Sequence, residues 1–337
     1  MKQSFVFLLV AISLTTVAQK HEEYKIVKTY HIKSPGGWDY IAVNDGKLYV
    51  SHGTQVNILD KQTGDSLGFI PNTNGVHGIA FVNDHGYGYT SNGRSNNVTV
   101  FDLKTNAAIS QISTGDNPDA IIFEPFSKHI FTCNGRGKNL SVIDPTTNTV
   151  VATIDVGGKP EAAVFDGMGK LFVNIEDKSE IVVVDTKNNK LITHYPLAPG
   201  ETPTGLAYDK QNKRLFSGCE NKMLVILNAE NGKLVKSVPI GEGCDGVAFD
   251  PKNKHIFTAN GDGSLTVIKE NSADDYSVVG NFLTRYGART IAFDEKDETI
   301  YLPTAEFEET AGSNGRRRSI PGTFQVLVVK KIAEKVD

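Results

Sequence analysis

The chain has 337 residues, of which 39% are hydrophobic and 22% are charged, and its formal net charge is −4. This composition is that of an ordinary globular protein. The charge balance does not favour nucleic-acid binding, which depends on many Lys and Arg contacts to phosphate.

The first 18 residues have the form of a cleaved export signal. Lys2 supplies a positive end, residues 5–14 form a short apolar stretch, and Thr16-Val17-Ala18 is a small-residue cleavage site. The stretch is shorter than the ~20 residues that a membrane-spanning helix needs. We therefore expect residues 19–337 to be exported, to the periplasm or outside the cell, without a membrane span.

A pattern of about forty residues recurs seven times along the rest of the chain. Each copy has a short apolar strand, a strand led by an aromatic residue, a Val/Ile-rich strand that often ends in Asp, and a fourth strand. The first strands are marked by Ile41, Ile79, Ile121, Ala163, Leu206, Val247 and Ile291. Four short strands at this spacing are typical of a propeller blade. The sequence predicts one all-β domain over 19–337, a seven-bladed β-propeller with four-stranded blades.

The last repeat lacks a fourth strand, whereas a strand pattern at residues 24–32 precedes the first repeat. We expect this N-terminal strand to complete blade seven as its outer strand, which removes a sheet edge. The recurring aspartates at the ends of third strands are predicted to form turns rather than to act as catalytic acids. They are Asp60, Asp102, Asp144 and Asp185.

Residues 89–92 (Tyr-Thr-Ser-Asn) and 131–134 (Phe-Thr-Cys-Asn) resemble the YVTN repeat, and so do the Val-Ile-Asp strand ending and Asn117-Pro118-Asp119. Over essentially all of the mature chain, the sequence resembles the exported YVTN-repeat (YncE-like) propellers of bacteria. The resemblance implies the fold. It implies no set of active-site residues, because such repeats are mostly the packing pattern of the blade.

Residues just before the first strands should ring one mouth of the central channel, because each first strand starts where its antiparallel neighbour ends. They are Asp39, His77, Asp119, Glu161, Thr204, Asp245 and Arg289. Residues that end the second strands should join the same face. They are His52, Asn92, Asn134, Ile175, Cys219, Asn260 and Thr304. We expect adjacent blades to bring His52 near His77 and Cys219 near Cys244, and we predict a ligand-binding site at this mouth.

Several chemistries fit these residues. One divalent metal ion is a candidate cofactor: Asp39, His52, His77 and Asp119 suit a transition metal, and carboxylates with Asn carbonyls suit calcium. The same residues could instead be solvated channel lining, Asn-Gly turn signals, or caps of local turns. Cys219 and Cys244 could form a disulfide if their Cα atoms lie within about 7 Å, or be small buried residues. Trp38 could stack on a ligand or serve in packing.

A long insertion at residues 305–323 separates the second and third strands of blade seven. Loops of this length are uncommon unless they are functional or disordered. The insertion could cover the mouth as a lid, with Arg316, Arg317 and Arg318 meeting an anionic ligand or the acidic ring. It could equally be a solvated loop.

The sequence lacks the short motifs of serine hydrolases, zinc peptidases, nucleotide-binding loops and covalent haem attachment. The leading hypothesis is an exported, monomeric, non-catalytic binding or scaffold protein that takes a small molecule, protein or glycan at the mouth. One alternative is a metal-dependent, lactonase-type hydrolase. It requires five residues to converge on one ion: Asp39, His77, Asp119, Glu161 and Asp245. Another is a redox accessory protein with a tetrapyrrole on His52 or His77.

Overall fold

The structure is a computed structural model that describes residues 23–311 and 317–332. The predicted export signal and Arg316 lie outside these residues. The first described strand is β1 (Glu23–His31). The strands of blade one are β2 (Trp38–Asn44), β3 (Lys47–His52), β4 (Gln55–Asp60) and β5 (Ser66–Ile70). Those of blade two are β6 (Val76–Val82), β7 (Tyr87–Asn92), β8 (Asn97–Asp102) and β9 (Ala108–Ser113).

The next three blades repeat this arrangement. Blade three has β10 (Pro118–Glu124), β11 (His129–Asn134), β12 (Asn139–Asp144) and β13 (Thr149–Asp155). Blade four has β14 (Pro160–Phe165), β15 (Lys170–Ile175), β16 (Glu180–Asp185) and β17 (Lys190–Pro196). Blade five has β18 (Pro203–Asp209), β19 (Arg214–Cys219), β20 (Met223–Asn228) and β21 (Leu234–Pro239).

The last two blades complete the ring. Blade six has β22 (Cys244–Asp250), β23 (His255–Asn260), β24 (Ser264–Ser272) and β25 (Asp275–Leu283). Blade seven has β26 (Ala292–Asp294), β27 (Thr299–Thr304), β30 (Gln325–Ile332) and β1, with a hairpin of β28 (Phe307–Ala311) and β29 (Arg317–Ser319) between β27 and β30. Two single-turn 3₁₀ helices cover Asn83–His85 and Glu176–Lys178.

Within residues 23–311 and 317–332 the strands form seven four-stranded antiparallel sheets, so the predicted seven-bladed propeller is confirmed. Blade seven has the order β1-β30-β27-β26, and β1 pairs with β30 from Glu23↔Ile332 to His31↔Gln325. The N-terminal strand therefore closes the last blade, as the sequence predicts. Among the described residues, no helix has the length and hydropathy needed to cross a membrane.

The core lies between neighbouring blades. One aromatic side chain from each second strand is almost fully buried there: Tyr49, Tyr89, Phe131, Phe172, Phe216, Phe257 and Tyr301. The third strands are buried on both faces, which explains apolar runs such as Ile181–Val184 in β16. Inner strands approach so closely that a Cβ on Gly205 would lie 2.7 Å from the backbone nitrogen of Val247 in the next blade.

The recurring aspartates at the ends of third strands hold turns on the opposite face from the mouth. Asp60 Oδ1 accepts hydrogen bonds from the backbone N–H groups of Gln62 and Thr63, at 2.9 and 2.8 Å. Asp102 and Asp185 repeat the arrangement. Their carboxylates are engaged by the backbone, which fits the turn-forming role expected from the sequence.

Candidate functional site

The ring residues owe their direction to an irregularity in strand pairing. In the described part of blade one, Trp38 pairs with His52 and Ile41 with Val50, so β2 has an extra residue there. The same bulge occurs at the start of the first strand in blades two to six. A bulge turns a side chain away from its regular strand direction. It lies at or next to the ring position in each of these blades.

Three ring residues from adjacent blades meet in what we call the acid–histidine cluster: Asp39, His77 and Asp119. His77 Nδ1 is 2.5 Å from Asp39 Oδ2 and 3.9 Å from Asp119 Oδ2. The donor atoms of all three lie within 4.8 Å of one another. Their side chains are between 17% and 27% exposed, so the cluster is partly open to the channel.

The cluster carries closely spaced charge in a partly buried place. Burial by itself would lower the pKa of His77, but the hydrogen bond with Asp39 and the charge of Asp119 outweigh it and raise that pKa to about 8. Burial and the charge of Asp39 raise the pKa of Asp119 to about 7, although His77 acts in the opposite direction. Ionisation of Asp119 at the mouth is therefore less favourable than ionisation of an aspartate in water.

The other acidic ring residues pair with basic groups. Glu161 Oε1 lies 2.7 Å from Lys159 Nζ, which also contacts Glu176. Asp245 Oδ2 accepts a hydrogen bond from Arg289 Nε at 2.6 Å. The pKa of Asp245 is still raised, first by burial and then by the charge of Asp39.

Tyr40 is a mouth residue that the sequence did not single out. It belongs to β2, lines the channel, and packs against a cluster that includes Ala120 and Cys133 of blade three. Burial raises the pKa of its hydroxyl well above the usual value, and four carboxylates add to the effect: Asp119, Glu161, Asp39 and Asp245. The negative charges of the ring carboxylates therefore act on the Tyr40 hydroxyl and disfavour its ionisation. In the sequence, only the position of Tyr40 directly after Asp39 could have indicated this.

Below the mouth, the inner strands enclose a cavity of about 170 Å³. It is lined by Tyr40, by small or aliphatic residues of the other inner strands, and by Asp245 at its rim. A water molecule occupies about 30 Å³ in the liquid. The channel therefore has room for a few waters, an ion or a very small organic molecule.

The structure does not bring His52 into the acid–histidine cluster. Its side chain is 1% exposed and stacks on Phe324, with ring centroids 3.9 Å apart. His52 Nε2 donates to the Gly36 carbonyl at 2.7 Å, and Nδ1 is 2.5 Å from Ser34 Oγ. Both ring nitrogens are thus occupied, so the predicted metal or tetrapyrrole role of His52 conflicts with its surroundings.

The three asparagines predicted at the mouth are fully buried inside their blades: Asn92, Asn134 and Asn260. Each accepts a hydrogen bond from the threonine two residues earlier and donates two from its amide nitrogen to the third strand. They are not the turn residues of Asn-Gly hairpins either. The left-handed residue of the first of these turns is Asn96, with φ of 51°.

The remaining residues expected on this face are also structural. The hydroxyl of Thr204 donates to the Cys244 carbonyl at 2.6 Å, and that of Thr304 donates to the Tyr286 carbonyl at 2.8 Å. Ile175 belongs to a hydrophobic core cluster. The three cysteines, Cys133, Cys219 and Cys244, are buried and free, so the structure contains the unbonded alternative for Cys219 and Cys244.

The insertion at 305–323 contains a hairpin, β28–β29, rather than a wholly irregular loop. Phe307 packs edge-on against Trp38 and Tyr286, at centroid distances of 5.9 and 4.8 Å. The Arg317 guanidinium lies 5.0 Å above the ring of Tyr286. The hairpin is therefore fixed beside the mouth by aromatic contacts, and Arg317 meets an aromatic ring instead of the acidic ring.

Arg318 and Trp38 are two further residues that the sequence placed at or near the mouth. Arg318 is exposed. Trp38 stacks on Phe324 at 5.5 Å, which gives it a packing role, and its Nε1 is buried without a hydrogen-bond partner among the described residues.

The five residues required by the hydrolase alternative do not form one ligand set. Asp39, His77 and Asp119 converge within 4.8 Å, whereas Glu161 is engaged by Lys159 and Asp245 by Arg289. The geometry thus allows a three-residue donor set at one side of the mouth and two ion pairs on the rest of the ring.

The fold and the site together define a seven-bladed β-propeller with an acidic channel mouth. The structure is similar to a solved chain described as Kuenenia stuttgartiensis hydrazine synthase, with a TM-score of 0.71 and 17% sequence identity over 91% of this chain and 98% of that chain. At this identity the likeness shows the fold alone. No protein-family model matches the sequence. No curated protein matches it.

Proposed function

We propose that this protein is an exported binding propeller of the YVTN-repeat type that holds a small cationic ligand at its channel mouth and does not transform it. The export signal pattern at residues 1–18 and the Tyr-Thr-Ser-Asn and Phe-Thr-Cys-Asn segments support the location and the type. The propeller fold, which carries many kinds of binding surface, is consistent with such a role.

The observation that carries the proposal is the group of partly buried carboxylates at the mouth. Asp39 and Asp119 lie on either side of His77, at 2.5 and 3.9 Å from its Nδ1. Burial and then repulsion from Asp39 raise the pKa of Asp119 to about 7. A bound cation would relieve this repulsion, since an opposite charge within a few ångströms favours the ionised carboxylate.

The size of the channel limits the ligand. A cavity of about 170 Å³ is close in size to an engineered cavity of ~150 Å³ that binds benzene, and it is smaller than the ~300 Å³ at which drug-sized ligand pockets begin. A metal ion, an ammonium group or a short diamine fits both the volume and the charge. A protein or glycan partner could still contact the outer surface of the same face, but it would not be the occupant of the channel.

The test is thermal unfolding of the purified protein with Ca²⁺, Zn²⁺, putrescine or sulfate. A ligand that binds the folded state at ~100 times its Kd adds about 2.7 kcal/mol of stability, so a saturable rise in Tm is expected with at least one cation. Sulfate should have no such effect. The response should shrink in Asp119→Asn combined with Glu161→Gln.

The matched control is Glu295→Gln, which neutralises an exposed carboxylate away from the ring. It should respond to cations as the unaltered protein does. Stabilisation by sulfate alone, or an equal cation response in the ring variant, would remove the proposal. Turnover of a substrate that is lost in the ring variant would replace binding by catalysis.

A further inference from the structure

The acid–histidine cluster has the composition of a transition-metal site. It offers one imidazole nitrogen and two carboxylates from three consecutive blades, with donor atoms within 4.8 Å of one another. Imidazole suits Zn, Cu, Fe and Ni, whereas Ca²⁺ and Mg²⁺ prefer sites made of oxygen atoms. The imidazole nitrogen of His77 therefore favours transition-metal ions over Ca²⁺ and Mg²⁺.

The distances are compatible with a single ion. Metal–ligand bonds to His and Asp are about 2.0–2.2 Å long, so neighbouring donors around one ion lie roughly 3.0–3.5 Å apart. His77 Nδ1 is 2.5 Å from Asp39 Oδ2 and 3.9 Å from Asp119 Oδ2, on either side of that range. Small side-chain rotations would bring both carboxylates to the required separation, and a bound ion would take the place of the proton between His77 and Asp39.

Two hydroxyl groups hydrogen-bond to the backbone at or beside the three cluster residues. Ser91 Oγ accepts a hydrogen bond from the Gly78 N–H at 2.8 Å and donates to the Asp119 carbonyl, so it ties the backbone beside His77 to that of Asp119. Thr290 Oγ1 donates to the Asp39 carbonyl at 2.6 Å. Such outer contacts keep ligands in place before the ion arrives, which lowers the cost of binding.

Glycine at position 93 keeps the space beside the imidazole open. A Cβ on Gly93 would lie 2.7 Å from His77 Nε2. The ring can therefore direct Nδ1 toward the two carboxylates without a side chain pressing on its other edge.

We infer that Asp39, His77 and Asp119 bind one divalent transition-metal ion, with remaining coordination positions left for water or a small ligand from the channel. This inference rests on the proposed cation-binding function and narrows it to one ligand set. It assigns no ion to Glu161 or Asp245, because those carboxylates already pair with Lys159 and Arg289.

The experiment uses Co²⁺, whose visible absorption reports its ligands, added to the full mature protein after dialysis against a chelator. About one Co²⁺ per chain is expected to bind. His77→Ala should weaken binding at least about tenfold, since even loss of an outer contact to a metal ligand costs 10–100-fold. Asp119→Asn, which keeps the side-chain volume, should change the absorption spectrum even where binding persists.

The control is His194→Ala, which removes an exposed histidine that contacts Glu180 at 2.8 Å, and it should bind Co²⁺ as the unaltered protein does. Equal Co²⁺ binding by His77→Ala would overturn the inference. Putrescine stabilisation without Co²⁺ binding would overturn it while leaving the proposed function in place. No response to any cation would remove both. Circular dichroism of each variant checks that it is folded.

Discussion

A buried asparagine recurs at the same position in three blades and links two strands of its own sheet. In blade three, Asn134 Oδ1 accepts a hydrogen bond from Thr132 Oγ1 at 3.0 Å. Its amide nitrogen donates to Asn139 Oδ1 at 2.8 Å and to Ser141 Oγ at 2.9 Å. The side-chain amide of Asn134 has all of its hydrogen-bond partners, so the network stabilises the blade. Breaking the network leaves buried polar groups without partners. In blade one the equivalent position is His52, whose ring bonds to Ser34 and Gly36.

Asn134→Ala should therefore lower the free energy of unfolding by about 2–3 kcal/mol, because two buried partners, Thr132 and Ser141, and the partly buried Asn139 lose a hydrogen bond at once. Urea denaturation measures the change. Asn188→Ala, at an exposed turn position, should change stability by no more than ~0.5 kcal/mol. A stable Asn134→Ala protein that no longer binds a cation would instead make Asn134 a ligand residue.

At the scale of strands, the outer edge of every blade carries a bulge. In each sheet of the described chain, one extra residue on the outermost strand interrupts its pairing with the next strand. The extra residue is always aliphatic: Val27, Leu67, Ile109, Val151, Ile192, Val235 and Val279. Bulges twist an exposed edge and so discourage pairing between molecules. The repeated bulge therefore protects the outer edge of each blade against pairing with another molecule.

Blades five and six meet at a buried pair of acids, Asp209 at the end of β18 and Glu270 in β24. Burial raises the pKa of Glu270, and the adjacent Asp209 adds to this, although hydrogen bonds from Asn212 and Tyr276 act in the opposite direction. A carboxyl whose pKa is raised by folding stabilises the protein while it is protonated. That contribution is lost as the pH rises through the folded-state pKa.

Glu270→Gln, which stays neutral, should therefore raise Tm relative to the unaltered protein at about pH 8, and the difference should shrink toward about pH 4, where an unfolded Glu is half protonated. Thermal unfolding at several pH values measures it. Glu295→Gln, on an exposed carboxylate, should show no such trend. A Glu270→Gln protein that is less stable at the higher pH would show that Lys254, 3.9 Å away, outweighs the repulsion.

For the whole molecule, the ring is closed by contacts between the first and last blades, which we call the joint. Lys61, which is 8% exposed, pairs with Asp294 and with Asp297 at 2.7 Å. Tyr30 of β1 and Tyr301 of β27 donate to the Lys61 carbonyl at 3.0 and 3.3 Å. Burial would lower the pKa of Lys61, but the two aspartates outweigh it and raise it, so the joint is charged at neutral pH.

Lys61→Met should cost about 3–5 kcal/mol of stability, because it leaves Asp294 buried and uncompensated. Lys61→Met with Asp294→Asn should recover part of that loss, since the unpaired charge is gone. Lys25→Met, which breaks an exposed pair with Glu23, should cost less than ~1 kcal/mol. Urea denaturation compares the four proteins, and equal midpoints for Lys61→Met and Lys25→Met would show that the joint contributes little.

The architecture was predictable from the sequence because the chain is built of repeats. Each blade packs in the same way, so the same apolar and aromatic positions recur, and the number of blades, the closing role of β1 and the ring of mouth residues follow from counting. The ring position of Asp39, His77 and Asp119 was therefore predictable as soon as the first strands were aligned.

The partners of each mouth residue were not predictable in this way. Whether His77 meets Asp39 or His52, and whether Asn134 faces the channel or its own blade, depends on bulges and side-chain directions. A one-residue irregularity in pairing redirects a side chain, and the bulge at the mouth follows no motif in the sequence. Hydrogen bonds between residues tens of positions apart, such as Thr290 to Asp39, exist only once the blades have packed into a ring.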